Sequence, residues 1–239
     1  MATMPVSGSQ WDLGGITVEV LFKNIRTMRL VVQPPSGRVR ISVPWRTPPE
    51  SVRLFLLSRL DWIRKHQQRF QARGHEVSPD YLDGENHPLW GRRCVLQLAA
   101  GRPAGVAASP GLLRLTVPAD ADRARRAAVL EAFQRRELAQ KASALAAMWE
   151  ERLGTRVNRL TVRRMKTRWG SCTPATRDIR LNLELVKYPP ECLDYVILHE
   201  IIHFFVPNHG PAFQARMDAA LPHWRQLRRR LNAGPQDRQ

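Results

Sequence analysis

The segment at residues 195–213, YVILHEIIHFFVPNHGPAF, places three histidines and a glutamate among mostly apolar residues. This feature constrains the fold most. A lone histidine in an apolar helix is usually a core residue, whereas three histidines around one carboxyl group need another explanation. The sequence predicts a helix that begins after Pro189 and Pro190 and runs to about Val206, because Pro207 blocks its continuation.

The histidines have the spacing of a metal site. HEIIH fits the pattern H-E-x-x-H, and residues four apart on a helix share a face, so His199 and His203 can direct their rings at one ion. Glu200 is close enough to touch a water on that ion without ligating it. His209 follows the helix-breaking proline and can complete a His₃ set with one open position, as catalytic zinc requires. An Asp, Glu or His elsewhere could replace it, but none is so well placed. The alternatives are buried, satisfied histidines, or a metal bound without catalysis.

The chemistry follows from this ligand set. Neutral histidines leave zinc its full charge, which can lower the pKa of a bound water to about 7. Glu200 can accept the proton of that water and pass it to a leaving group, while the metal polarises the oxygen under attack. Imidazole also suits manganese, cobalt and nickel, and one Zn²⁺ ion is the expected cofactor. This chemistry alone does not select a peptide over another hydrolysable bond.

The rest of the pattern predicts an α+β chain, with strands and helices in separate blocks. Strands are expected within residues 16–24, 29–45, 87–100, 111–119, 160–172 and 178–186. Helices are expected within residues 48–70, 120–153, 189–206 and 211–231, the last interrupted at Pro222. PPSG at residues 34–37 is typical of a hairpin turn, and the Gly/Pro/Ala-rich residues 101–111 are expected to form a mobile loop.

Charge is the unusual feature of the composition. Lysine and arginine number 38 against 21 acidic residues, a net charge of +17, which is compatible with nucleic-acid binding. The arginines are nevertheless dispersed, which favours a solvated surface. No apolar run is long enough for a membrane span, and the first fifteen residues lack the pattern of a secretory signal, so a cytoplasmic location is expected. The three cysteines are too few and too scattered for a disulfide framework.

Four motifs together resemble one family: TRWGSC, IRLNLEL, DYVILHEIIH and NHGPAF. They are similar to those of the YgjP-like metal-dependent hydrolases (the DUF45 group), which are related to SprT-like zincin metallopeptidases. The resemblance implies that His199, His203 and His209 bind zinc and that Glu200 is the catalytic base. It also implies a zincin-like hydrolase domain, with strands flanking the active-site helix. We place this domain at residues 119–239, after a β-rich region with one long helix at residues 1–118. One continuous domain is the alternative.

TRWGSC supports two interpretations. In the functional one, Arg168 or Ser171 lies near the cleft. In the structural one, which we favour with Arg168 as the exception, Trp169 fills the core, Gly170 makes a tight turn and Cys172 is a small buried group.

Three further residues are candidates for supporting roles. Asn182 and Asn208 could hold ligand histidines in the correct tautomer, although an asparagine beside a turn is more often a backbone cap. Tyr195, one turn before His199, could approach the metal, although a core position is the more usual one.

Three functions remain open. The leading one is a zinc-dependent hydrolase, specifically a metallopeptidase acting on peptides or unfolded proteins. If IRLNLEL lies at a sheet edge, such a peptide could add to it as a strand. The second is a metal-dependent hydrolase of nucleotides or other anionic small molecules, seated by the basic cluster of Arg163, Arg164, Lys166 and Arg168. The third is a nucleic-acid-binding protein or a DNA-associated protease. The oligomeric state is left open.

Overall fold

The computed structural model describes residues 8–33, 36–74 and 79–233. The chain divides into two compact units, Met1–Pro79 and Asp80–Gln239. The division thus falls after Pro79 and not at residue 118, where we placed it. The reason is a shared core: apolar side chains from the strands between residues 86 and 117 lie in one cluster with those of the long helix that follows them.

The first unit is a four-stranded sheet with two helices. Its strands have the order β1-β2-β4-β3, and β2 and β4 are parallel while the other pairs are antiparallel. The elements are β1 (Gly8–Asp12), β2 (Thr17–Lys23), β3 (Arg29–Gln33), β4 (Arg38–Pro44), α1 (Pro49–Leu57) and α2 (Leu60–Gly74). The single helix predicted at residues 48–70 is therefore two helices. The predicted hairpin joins β3 to β4, although its Pro34 and Pro35 lie outside the described residues.

The second unit begins with another four-stranded sheet, in the order β5-β6-β8-β7. Its strands are β5 (Asn86–Leu89), β6 (Arg92–Ala100), β7 (Gly105–Ser109) and β8 (Leu112–Val117). The prediction of a mobile loop at residues 101–111 is wrong, because β7 lies within it and pairs antiparallel with β8. The side chains of β7 are small and largely exposed, so they show no apolar alternation that would mark a strand.

A long helix, α3 (Arg123–Leu153), follows; it ends at the predicted residue and begins three residues after the predicted start at residue 120. Asp122 caps its first turn by accepting a hydrogen bond from the Arg125 backbone N–H at 2.7 Å. Gly154 ends it in the left-handed conformation, with φ of 61°, where glycine is favoured.

The remaining elements surround the histidine-bearing helix. They are β9 (Arg159–Arg163), β10 (Gly170–Thr173), β11 (Asp178–Asn182), a 3₁₀ helix (Leu183–Lys187), α4 (Pro190–Ile202), α5 (Pro211–Ala220) and α6 (Trp224–Ala233). The sheet order is β10-β11-β9, so the strand predicted at residues 160–172 is two separate strands and β11 lies between them. The strand predicted at residues 178–186 ends at Asn182, where the 3₁₀ helix begins.

The last helical region is interrupted at Pro222, as predicted. The α+β class is confirmed. Within the described residues, no helix has both the length and the apolar character needed to cross a membrane.

Candidate metal centre

Helix α4 carries the first two histidines and is buried on nearly every side. Nine of its thirteen residues are buried, including Leu198, Ile201 and Ile202 next to the histidines. The apolar side chains fix the helix in the core of the second unit. His199 and His203 are half-buried, so their shared face opens toward the surface.

The helix ends at Ile202, four residues before the predicted end. The backbone N–H groups of Phe204 and Phe205 each bond to a carbonyl three residues earlier, which tightens the chain into turns. His203 is the residue at this end of the helix. The chain then leaves the helix direction before Pro207 is reached and brings His209 back beside α4.

The three ring nitrogens converge. The Nε2 atoms lie 3.2 Å apart in His199 and His203, 3.1 Å apart in His203 and His209, and 3.0 Å apart in His199 and His209. A neutral imidazole presents either an N–H or a lone pair there, so at least one of the three pairs brings two like groups together. Zinc–nitrogen bonds of about 2.0–2.1 Å would set tetrahedral ligands about 3.3–3.4 Å apart. The donor set therefore fits a divalent cation.

The protonation of these rings suits metal binding. The Val206 carbonyl only accepts hydrogen bonds, so the His203 Nδ1 carries the proton and donates to it at 3.0 Å, leaving the Nε2 lone pair free. Burial, helped by the neighbouring histidines, lowers the pKa of His199 to about 3. Burial also lowers the pKa of His209. Both are neutral at neutral pH, which is the form that ligates metal.

Phe213 forms an apolar floor under the three rings. Its ring centroid lies 4.9 Å from that of His199 and 4.8 Å from those of His203 and His209, and its side chain is only 1% exposed. Contacts of this kind restrict ring rotation. In the sequence Phe213 belongs to the NHGPAF motif, but no pattern assigned it this role.

Glu200 lies against strand β10. Its side chain is buried, and burial raises its pKa to about 7, while hydrogen bonds from the Cys172 thiol and backbone N–H and the charge of Arg168 act in the opposite direction. Burial, together with the nearby Glu200 carboxyl group, raises the pKa of Cys172 to about 12, so the thiol keeps its proton and donates it in the hydrogen bond. Cys172 is therefore a polar neighbour of Glu200 and not the apolar filler that we expected.

Gly170 allows this approach. A Cβ atom built there would lie 2.8 Å from Glu200 Oε1 and 2.8 Å from a Val196 methyl carbon. Only a residue without a side chain leaves room for the carboxyl group, so close packing explains this glycine better than the tight turn that we predicted.

Asn182 does not contact the histidines. Its side-chain N–H groups donate to the carbonyls of Met165 and Arg168, each at 2.9 Å, and its oxygen accepts from the backbone N–H groups of Met165 and Glu184. It therefore holds the loop between β9 and β10, and caps the 3₁₀ helix. This arrangement fits the backbone-cap alternative.

The other candidates have distinct positions. Tyr195 is buried. Its ring stacks on that of Trp224, with centroids 6.2 Å apart, and meets the ring of His199 edge-on, with centroids 5.7 Å apart. Trp169 is half-buried and packs edge-on against Tyr188 at 4.9 Å. Asn208 is exposed, in the turn before His209.

A second residue near the centre, besides Phe213, was missed by sequence reasoning. Arg228, on α6, lies close enough that its charge lowers the pKa of His199 and of His209. In the sequence it is one arginine in the run RQLRRRL, and the periodicity of that helix alone does not tell which one faces the histidines.

Three converging histidines beside a buried carboxyl group are typical of metal-dependent hydrolases. The family model of the YgjP-like metallopeptidase domain matches residues 26–234. The chain therefore belongs to the YgjP-like metallopeptidase domain family, and the resemblance to that family is confirmed. This family implies a metal cofactor.

Two solved structures share a remote and partial likeness. The metallopeptidase zymogen abylysin of Pyrococcus abyssi is 17% identical, with a TM-score of 0.35, and the match covers 38% of this chain and 90% of that chain. The metallopeptidase zymogen jannalysin of Methanocaldococcus jannaschii is 23% identical, with a TM-score of 0.34, and the match covers 40% and 94%. No curated protein matches the chain.

Proposed function

We propose that this protein is a zinc-dependent metallopeptidase in which His199, His203 and His209 bind one zinc ion and Glu200 is the general base. The observation that carries the proposal is the convergence of three Nε2 atoms within 3.2 Å, with the buried Glu200 carboxyl group next to His199 in sequence. Among the described residues, no fourth protein ligand joins the three imidazoles. Such a set is typical of catalytic zinc, because structural sites are usually closed by four ligands.

Glu200 and Cys172 have different roles in the proposed hydrolysis. A bound divalent ion supplies Lewis-acid chemistry, polarising the substrate carbonyl and acidifying a water. Glu200 accepts a proton from the attacking water and gives it to the leaving amine. The Cys172 thiol and backbone N–H donate hydrogen bonds to the carboxyl group and hold it in place.

A peptide substrate suits the sheet beside the site. The sequence hypothesis placed the peptide along IRLNLEL, but β11 is the central strand of its sheet and is not free to accept another. Strand β10 is at the edge, and it is the strand that contacts Glu200. We therefore place an extended peptide along β10, where main-chain hydrogen bonds would bring a scissile bond next to the carboxyl group.

The alternative function, hydrolysis of nucleotides, has weaker support from the structure than from the sequence. Within the basic cluster at residues 163–168, Arg164 forms ion pairs with Glu131 at 2.9 Å and with Glu184 at 3.4 Å. Its charge is thereby committed to the protein, which weakens the cluster as a phosphate seat.

The test is hydrolysis by metal-loaded protein. Wild type and Glu200→Gln are each loaded with zinc and incubated with an unfolded protein and a peptide library, with His203→Ala as the metal-binding control. We expect cleavage by wild type alone, while Glu200→Gln binds metal but falls by at least a hundredfold in rate, in keeping with the usual contribution of a general base, about 10²–10⁴-fold. Equal activity of wild type and Glu200→Gln would refute the assignment of the base. Turnover of nucleoside triphosphates but of no peptide would favour the alternative.

A further inference from the structure

Helix α6 brings an arginine to the rim of the metal centre. Trp224 of α6 stacks on Tyr195 at 6.2 Å with an interplanar angle of 8°, and Tyr195 meets His199 at 5.7 Å. Arg228 follows Trp224 by four residues, so the two lie on one face of α6, one turn apart. This face is anchored in the core by the buried side chains of Trp224, Leu227 and Leu231, and the exposed Arg228 lies one turn from the stack of Trp224 on Tyr195.

The charge of Arg228 is not neutralised by the protein. On the same helix Arg225 forms an ion pair with Asp218 and stacks on Trp224 at 4.6 Å. Across the described ranges, Arg228 has neither an acidic nor a hydrogen-bonding partner. Its positive charge acts to lower the pKa values of Tyr195, His199 and His209.

A free guanidinium next to a cation site is unfavourable unless an anion joins them. Like charges repel, and the repulsion grows as the two charges approach each other. A ligand carboxylate reverses the sign of this interaction, because it attracts both the guanidinium and a divalent ion. The planar guanidinium also offers two parallel N–H donors, which match the two oxygens of a carboxylate.

We propose that Arg228 binds a carboxylate group of the peptide substrate at the rim of the histidine centre and so determines specificity. The inference rests on the proposed function, since it names a feature of the substrate for the same site. The carboxylate belongs either to an acidic side chain near the scissile bond or to the free C-terminus of the peptide. Both present the same group to the guanidinium.

Binding to an inert protein tests this without relying on turnover. Three peptides share one sequence and an N-terminal fluorophore: the first has an amidated C-terminus and no acidic residue, the second has a free C-terminus, and the third is amidated with one glutamate. Their Kd values are measured by fluorescence anisotropy on zinc-loaded Glu200→Gln protein. The same background carrying Arg228→Ala or Arg229→Ala is compared, because Arg229 is exposed and adjacent but lies off the face of α6 that carries Trp224.

We expect one of the two carboxylate peptides to bind at least tenfold more tightly than the uncharged peptide. Arg228→Ala removes this preference, Arg229→Ala retains it, and both variants carry zinc as the parent does. The peptide that shows the preference identifies the source of the carboxylate.

Two outcomes would overturn the inference. If peptides bind but the preference is absent, or survives in Arg228→Ala, Arg228 is not the carboxylate site and the proposed function stands. If no peptide binds and wild type cleaves none, the proposed function fails and the inference fails with it.

Discussion

At Glu200, opposing effects act on one carboxyl group. The side chain is 6% exposed, and the loss of hydration favours the neutral acid. The Cys172 hydrogen bonds and the Arg168 charge favour the carboxylate, but burial dominates and the pKa is raised to about 7. The folded protein therefore binds a proton more tightly at this position than the unfolded chain does.

This shift makes stability depend on pH in a defined direction. The unfolded value is 4.5 and the folded value about 7, so the contribution of Glu200 is fully present below pH 4.5 and is lost as the pH rises to 7. Metal-free wild type should lose up to about 3 kcal/mol relative to metal-free Glu200→Gln across this range. Urea unfolding of both proteins at several pH values measures the difference. A difference that does not vary with pH would show that the carboxyl group is hydrated.

Gly170 is the second residue on which the carboxyl group depends. Gly170→Ala would place a methyl group 2.8 Å from Glu200 Oε1, so the carboxyl group must move. We expect kcat/KM to fall at least tenfold and the free energy of unfolding to fall by about 1–3 kcal/mol. Zinc content should be unchanged, because the nearest contacts of this methyl group are with Glu200 and Val196 and not with a histidine.

Gly105→Ala is the matched control. Gly105 lies in strand β7 and has open space where the Cβ would stand. The Gly105→Ala protein should keep the kcat/KM of wild type. A Gly170→Ala protein with wild-type kcat/KM would contradict the close packing of β10 against Glu200.

The sequence indicated the site residues unequally, for a physical reason. H-E-x-x-H is a local pattern, so it predicted that His199 and His203 share a face, and their ring nitrogens do converge. The contacts of Gly170, Phe213 and Arg228 depend on how separate elements pack, and no spacing within one element reports them. Gly170 was accordingly interpreted as a turn.

At the scale of elements, the loop between β9 and β10 depends on one amide. The side chain of Asn182, at the end of β11, forms four hydrogen bonds, of which three reach that loop. This side chain is what allows two short strands to flank β11 while the chain between them is irregular. The sequence predicted a strand as far as residue 186 because the apolar alternation at residues 179–185 extends into the 3₁₀ helix. Leu183 and Leu185 of that helix are also buried.

Replacing that amide by a carboxylate tests its role. Asn182→Asp removes both N–H donors and sets a negative charge against the Met165 and Arg168 carbonyls. We expect a loss of roughly 2–4 kcal/mol in the free energy of unfolding, since buried polar groups are left unsatisfied. Urea denaturation measures it, with the exposed Asn232→Asp as the control. Equal stability of the two variants would mean that the loop is held by other contacts.

At the scale of the whole molecule, the shared hydrophobic core explains why the boundary between the two units follows Pro79, which local sequence patterns did not indicate. Leu96, Leu113 and Leu115 are fully buried in the cluster that also contains Leu130 of α3 and Ile197 of α4. Alternation predicted the strands that carry these leucines but not the helix on which they pack. A change from strands to helix at residue 118 was therefore mistaken for a domain boundary.

Two fragments distinguish these boundaries. Residues 80–239 contain the complete second unit, and we expect them to unfold cooperatively and to bind zinc. Residues 119–239 lack β5–β8 and therefore the buried side chains of Leu96, Leu113 and Leu115. The apolar side chains that pack against these leucines become exposed to water, and the lost burial costs about 1.5–3 kcal/mol for each leucine. We expect this shorter fragment to lack a cooperative transition in circular dichroism. A fragment 119–239 as stable as the longer one would favour the boundary at residue 118.

The central claim is that the three histidines converge because they hold a metal ion. Elemental analysis of wild type, Glu200→Gln and His203→Ala, purified side by side, tests it most directly. We expect about one zinc per chain in wild type and Glu200→Gln, and its loss in His203→Ala, because two remaining histidines bind weakly. Three metal-free proteins that also fail to take up added zinc would contradict it, and the histidines would then be core residues.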